Sequence, residues 1–147
     1  MDSKIIIGSD HGGFELKKKI VGYLDKKGYK VNDIGTYSNE SCDYPDIALL
    51  VAKNVSNRKY KRGILICTTG IGVSICANKF NGVRAALCSS IEQAKLSRNH
   101  NNSNVLALGA KFITSRLAFK ICDAWLEGKF DGGRHKRRID KISKLEK

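Results

Sequence analysis

Runs of β-branched residues alternate along the chain with longer stretches whose apolar positions recur at helical spacing. Residues 4–8 (KIIIG) predict a first strand. From 13 to about 27, Leu16, Ile20, Tyr23 and Leu24 share one helical face. Residues 29–34 (YKVNDI) alternate as a strand does, and 46–55 return to helical spacing through Ile47, Leu50, Val51 and Val55. The apolar run 63–66 (GILI) predicts a short strand buried on both faces. A helix then begins near Gly72. The alternation repeats with strands over 83–87 and 105–108 and helices over about 90–98 and 114–126. From Arg134 a basic segment sets Ile139, Ile142 and Leu145 at near-helical spacing. Five strands separated by helices predict right-handed crossovers and an α/β three-layer sandwich around a five-stranded parallel sheet. Pro45, the sole proline, is expected in a loop. In such folds ligands bind beyond the carboxyl ends of the strands, so chemistry is sought there.

Length and composition narrow the class. The 147 residues suit one domain over 1–147, with a C-terminal basic helix from about 134. An apolar share of 41% is that of an ordinary globular protein, and no apolar run is long enough to cross a bilayer. The opening MDSKIIIGSDHGG lacks the apolar core and small-residue cleavage site of a secretory leader. Five cysteines, an odd number without a CxxC pair, argue against a disulfide framework and a zinc ribbon. A reducing cytoplasm is the simplest compartment for them. The net charge of +13 predicts an anionic partner, for which nucleic acid, an anionic membrane surface and a phosphorylated metabolite all qualify. Charge in stretches such as ELKKKIVGYLDKK reads as a solvated helix face.

Candidate chemistry lies after the third strand, in CTTGIGVSICANK from Cys67 to Lys79. A strand, a glycine turn and a helix start turn free N–H groups outward, and the helix dipole favours an anion there. Counting excludes three known loops. A dinucleotide fingerprint needs a third glycine where Ile75 stands, and a P-loop needs a GK[ST] ending that is absent. A cysteine-phosphatase loop needs an arginine where Val73 stands. Cys67 ends the buried strand beside these N–H groups, which would lower its thiol pKa and suit it to act as a general base. Cys76 and Cys122 fall in apolar helical runs and read as inert.

Five blocks occur in order: GSDHGG, DYPD, CTTGIGVSICANK, RNHNNSNVLALGAK and FDGGRHKRR. Together they resemble the ribose-5-phosphate isomerase B family, which also includes the galactose-6-phosphate isomerase subunits. The likeness runs from residue 4 to about 142. It implies a Rossmann-like fold, a homodimer or tetramer with active sites shared between subunits, and a small phosphorylated sugar as substrate. Ribose 5-phosphate is favoured over allose 6-phosphate or galactose 6-phosphate. By the same resemblance Cys67 moves the proton between C1 and C2, with Thr69 assisting. Backbone N–H groups of Thr68, Thr69, Gly70, Ile71 and Gly72 hold the enediolate oxygens. His100 opens the furanose ring and Asn101 binds substrate, while Asp10, His11 and Tyr44 line the pocket. Arg134, His135 and Arg138 hold the phosphate from the partner subunit.

Two positions depart from the family pattern. Thr68 stands where the family's CGTG loop has glycine, and Lys111 where its LGAR block has arginine. A threonine resists positive φ, and a lysine loses bidentate geometry. The residues alone also admit plainer readings. His100 could be a loop histidine, Asp10 a helix N-cap, His11 a surface residue, Tyr44 a packing residue, and RHKRR a solvated tail or a nucleic-acid patch. Against the nucleic-acid reading, no recognised binding motif is present. Enediol chemistry needs a base, oxyanion donors and a ring-opening group. None of these requires a metal, and no His/Asp/Glu cluster stands at metal-ligand spacing, so no metal or other cofactor is expected.

Overall fold

The structure is a computed structural model that describes residues 3–147. Its centre is set by three strands with almost no polar side chains: β1 (Lys4–Ser9), β3 (Gly63–Cys67) and β5 (Val105–Gly109). Their apolar runs do not alternate because helices cover both sheet faces. The edge strands β2 (Lys30–Asp33) and β4 (Ala85–Leu87) are partly exposed. All pairings are parallel, in the order β2-β1-β3-β5-β4. The chain leaves β1 toward one edge and returns to β3 on its other side. The crevice at the carboxyl ends of β1 and β3 is therefore the topological switch point.

One face of the sheet is covered by α1 (Phe14–Lys26), α4 (Ile91–Asn101) and α5 (Ser115–Glu127). Ile5, Ile7, Ile64, Ile66, Leu106 and Leu108 meet Ile20, Leu24, Ile121 and Trp125 there. The other face carries α2 (Tyr44–Ser56) and α3 (Ile71–Ala77), whose Val51, Val55 and Val73 pack on Ile6, Leu65 and Ala107. A final helix, α6 (Arg134–Ser143), lies against α4. No helix among the described residues is long and apolar enough to cross a membrane.

The sheet and its helices follow the pattern expected from the sequence, with three local differences. Pro45 is not in a loop but in the first turn of α2, where its missing N–H costs nothing and its fixed φ suits the helix. The polar run RNHNN is not a loop either: it forms the last turn of α4, which stops only where Asn102 takes a left-handed backbone. Lys17 is not on a solvated face. It shares the inward face with Ile20 and Leu24 and is fully buried, with Nζ bonded to Asp33 Oδ1 (2.6 Å) and the Thr36 carbonyl (2.5 Å).

Candidate active site

Cys67 closes β3 with its side chain almost wholly buried. Its Sγ accepts a hydrogen bond from the Gly70 N–H at 3.1 Å. Gly70 makes this turn possible with φ 77°, and a side chain there would collide with Leu87 and the backbone of Leu108 and Gly109. The next N–H, of Ile71, is taken by Thr69 Oγ1 at 3.2 Å. The sulfur and the Thr69 hydroxyl thus occupy two donors of the loop, while α3 begins immediately beyond. Thr68, the departure from glycine, has negative φ, since Arg58 and Asn102 are the non-glycine residues at positive φ. Its hydroxyl lies over Gly12, whose missing side chain leaves the room it needs.

The neighbouring loops close around this turn. The Asp10 N–H donates to the Ile66 carbonyl, and Asp10, itself buried, accepts from the Gly13 N–H at 3.2 Å. It therefore caps the short 3-10 turn His11–Gly13 while sitting beside Cys67's strand. His11 Nδ1 accepts from the Cys42 N–H at 3.1 Å, so His11 is tied to the next loop rather than loose on the surface. The Tyr44 ring packs over Gly72, where any side chain would strike it. The Ala110 and Lys111 N–H groups donate to the Cys67 and Thr68 carbonyls, each at 3.0 Å, which sets Lys111 at the loop with its side chain exposed. Lys17 pins the layer beneath: it holds Thr36, and the Gly35–Thr36 stretch exchanges hydrogen bonds with Ser9. Sequence reasoning missed Lys17, although its spacing to Ile20 and Leu24 is that of a core position. A hollow of about 450 Å³ opens next to Thr69, walled by Ile71, Leu87 and Phe112, and these three side chains and Ile75 are exposed.

The remaining candidates lie elsewhere. His100 and Asn101 end α4 beside the amino ends of the strands, where the Gly63 N–H meets the Asn104 carbonyl and Arg84 Nε binds the Asn101 carbonyl. Cys67 is at the other end of the same strand, roughly 13 Å away along its axis at about 3.3 Å per residue. Arg134, His135 and Arg138 lie on α6, close to His100: the His100 and His135 rings stack with centroids 4.2 Å apart. Desolvation, the neighbouring His100 and Arg134 hold the His135 pKa below its ordinary value. One chain therefore gathers Asp10, His11, Tyr44, the 67–72 loop and Lys111 in one place, and His100, Asn101, Arg134, His135 and Arg138 in another.

The end of α4 is firmly held. Arg98, buried beneath it, donates to Asn102 Oδ1 and the Ser103 carbonyl, and burial with Arg62 and Arg84 nearby pushes its pKa down to about 10. Ser103 Oγ pairs with Ser97 Oγ and accepts from Trp125 Nε1, both at 2.8 Å. The Asp131 N–H donates to the Asn99 carbonyl and ties the segment before α6 to the same turn. This brings Asp131 to His100 and His135, their ligand atoms all within 4.8 Å of one another. No metal-ligand cluster is expected from the sequence, yet the fold brings His100, at the end of α4, to Asp131 and His135. Larger hollows of about 700 and 760 Å³ also open at this amino end, around Arg84.

A parallel α/β sandwich with a buried thiol on a glycine turn at its switch point places the chain in the open, doubly wound α/β class, whose ligands bind in that crevice. The family model described as Ribose/Galactose Isomerase matches residues 5–142, and the chain belongs to that family. Ribose-5-phosphate isomerase B of Escherichia coli strain K12 is 49% identical over 143 residues, spanning 97% of this chain and 96% of that protein. The solved ribose-5-phosphate isomerase B of Clostridium thermocellum is similar with TM-score 0.95 and 51% identity, over 97% of this chain and 96% of its own. That of Mycoplasma genitalium, solved with bound ribulose-5-phosphate, is similar with TM-score 0.93 and 49% identity, over 97% and 95%.

Proposed function

We propose that this chain is a ribose-5-phosphate isomerase, interconverting ribose 5-phosphate and ribulose 5-phosphate in the pentose phosphate pathway. The observation that carries the chemistry is Cys67 Sγ, buried at the end of β3 and hydrogen-bonded to the Gly70 N–H. Family membership and near-full-length likeness to proteins named for this reaction support the substrate. The five free cysteines support a reducing cytoplasm, and one sugar-phosphate isomerase domain spans 1–147.

His100 opens the furanose by moving a proton between the anomeric hydroxyl and the ring oxygen. The Cys67 thiolate then removes the C2 proton, and the electron pair passes through C1 to O1, giving an enediolate. N–H groups of the 68–72 loop stabilise the oxyanion, Gly70's among them once the sulfur is protonated, while Ile71's stays on Thr69 Oγ1. The proton returns at C1, and the O2 proton ends on O1. The Thr69 hydroxyl serves that last transfer: its oxygen already accepts from Ile71, which leaves its hydrogen to donate. Asp10, His11 and Tyr44 line the sugar pocket with Lys111 at its rim, Asn101 binds the sugar, and Arg134, His135 and Arg138 hold the phosphate. Arg134 and Arg138 are one helical turn apart, a spacing that suits a shared phosphate.

Two copies share each site, in a homodimer or a tetramer built from it. One supplies the Cys67 loop and the other supplies His100 and the arginines. The separation of the two groups along β3 supports this, as does the exposed apolar rim of Ile71, Ile75, Leu87 and Phe112 beside the loop. The test is incubation with ribose 5-phosphate in D₂O, a chelator present, followed by proton NMR. Deuterium should enter C1 of ribulose 5-phosphate and, on return, C2 of ribose 5-phosphate. Faster conversion of allose 6-phosphate or galactose 6-phosphate would move the assignment to a six-carbon sugar. No conversion of any of the three would overturn it.

A further inference from the structure

The cluster joining α4 to α6 has a use that isomerisation does not require. His100 ends α4, His135 opens α6, and Asp131 stands just before it. Their ligand atoms all lie within 4.8 Å of one another, yet no pair among the three is joined by a hydrogen bond or ion pair. The two imidazoles are stacked, and Asp131 stands within reach of both. Ligands at about 2.0–2.2 Å from a tetrahedral zinc ion sit roughly 3.3–3.6 Å apart, so small side-chain rotations close the gap. One imidazole must turn off the stack to aim its lone pair. The backbone holds the three in register: the Asp131 N–H binds the Asn99 carbonyl at 3.0 Å and the His135 N–H binds the Gly132 carbonyl at 3.1 Å. The Asp131 carboxylate has no other hydrogen bond or ion pair among the described residues, although Arg134 and Arg138 are near.

We infer that His100, Asp131 and His135 form an inhibitory binding site for a divalent transition-metal ion, zinc above all. Two imidazoles and one carboxylate match the donor set zinc takes in open sites, with water in the fourth position. Magnesium and calcium prefer all-oxygen shells and are poorly served here. Arg134 and Arg138 flank the site and repel any cation, so binding is weaker than in a structural zinc centre and readily reversed by a chelator. The consequence for turnover rests on the reading of His100 as the ring-opening group. A metal ion takes the lone pair that ring opening needs and sits where the phosphate-binding face meets it. Substrate and metal therefore compete.

The experiment pairs the parent protein with Asp131→Asn, a variant outside the isomerase machinery. Binding is read by zinc equilibrium dialysis and by the visible absorption of added Co²⁺, and inhibition by steady-state turnover with and without chelator. The parent should take up one ion per chain, show a cobalt spectrum without sulfur charge transfer, and lose activity to zinc but not to magnesium. Asp131→Asn should keep its metal-free turnover and need at least about tenfold more zinc for half-inhibition. Equal zinc sensitivity in the two proteins, or a sulfur-to-cobalt band that puts the ion on Cys67, overturns the site. Asp131-dependent binding without inhibition overturns the inhibitory role. Asp131-dependent binding in a protein inactive on ribose 5-phosphate supports the site and removes the isomerase reading instead.

Discussion

Cys67 is set apart from the other thiols by what surrounds it. Burial pushes the Cys88 pKa up to about 11 and the Cys122 pKa up to about 12, and it raises Cys76 as well, so these stay protonated and unreactive at neutral pH. Cys67 is also buried, but it ends a strand at the glycine turn and its sulfur accepts the Gly70 N–H. Cys67→Ser should lower turnover by about 10²–10⁴-fold, the range for losing a general base, with little change in phosphosugar affinity by titration. Under iodoacetamide the native protein should lose activity in step with modification of Cys67, while peptide mapping finds Cys88 and Cys122 unmodified; unchanged turnover after Cys67 is alkylated would remove it from the mechanism. The sequence marked Cys67 because strand end and glycine turn are local features. It could not settle Thr68, whose fit depends on negative φ and on Gly12 from a different loop.

At the scale of elements, the end of α4 shows how a polar run misleads. RNHNN has the composition of a turn, yet tertiary bonds carry the helix through it. Arg98 caps it from below, and Trp125 on α5 donates to Ser103, which pairs with Ser97. Trp125 comes from a separate helix, so local propensity could not foresee its part in holding this end. Trp125→Phe should cost about 1–2 kcal/mol of stability through the lost hydrogen bond, read as a lower denaturation midpoint. Because the same bonds hold the turn bearing His100, its turnover should fall further than its substrate affinity. A midpoint equal to the parent's would show that the Ser97–Ser103–Trp125 chain is not what fixes this helix end.

At the scale of the whole molecule, the two groups of candidate residues sit at opposite ends of the sheet, and the proposed site needs two chains. Cys67→Ala and His100→Asn should each be inactive alone. Unfolded together and refolded, they should regain activity. With random pairing, half the dimers are mixed and each has one intact site, so about one quarter of parental activity returns. No recovery would show that a single chain holds the complete site. The net charge of +13 also takes its meaning at this scale. Some of it lines the proposed phosphate-binding face, and some is buried structure, as Lys17 and Arg98 show.

The sequence by itself determined the sheet, its covering helices, the switch-point loop and the family, because hydrophobic period, glycine turns and ordered motifs are local patterns in the chain. Tertiary structure alone decided that Lys17 is a buried strut, that the His100 run stays helical, and that His100, Asp131 and His135 converge. It also decided that Cys67 and His100 lie apart. Each of these depends on contacts between segments distant in sequence, made only when the strands align and the helices pack on them.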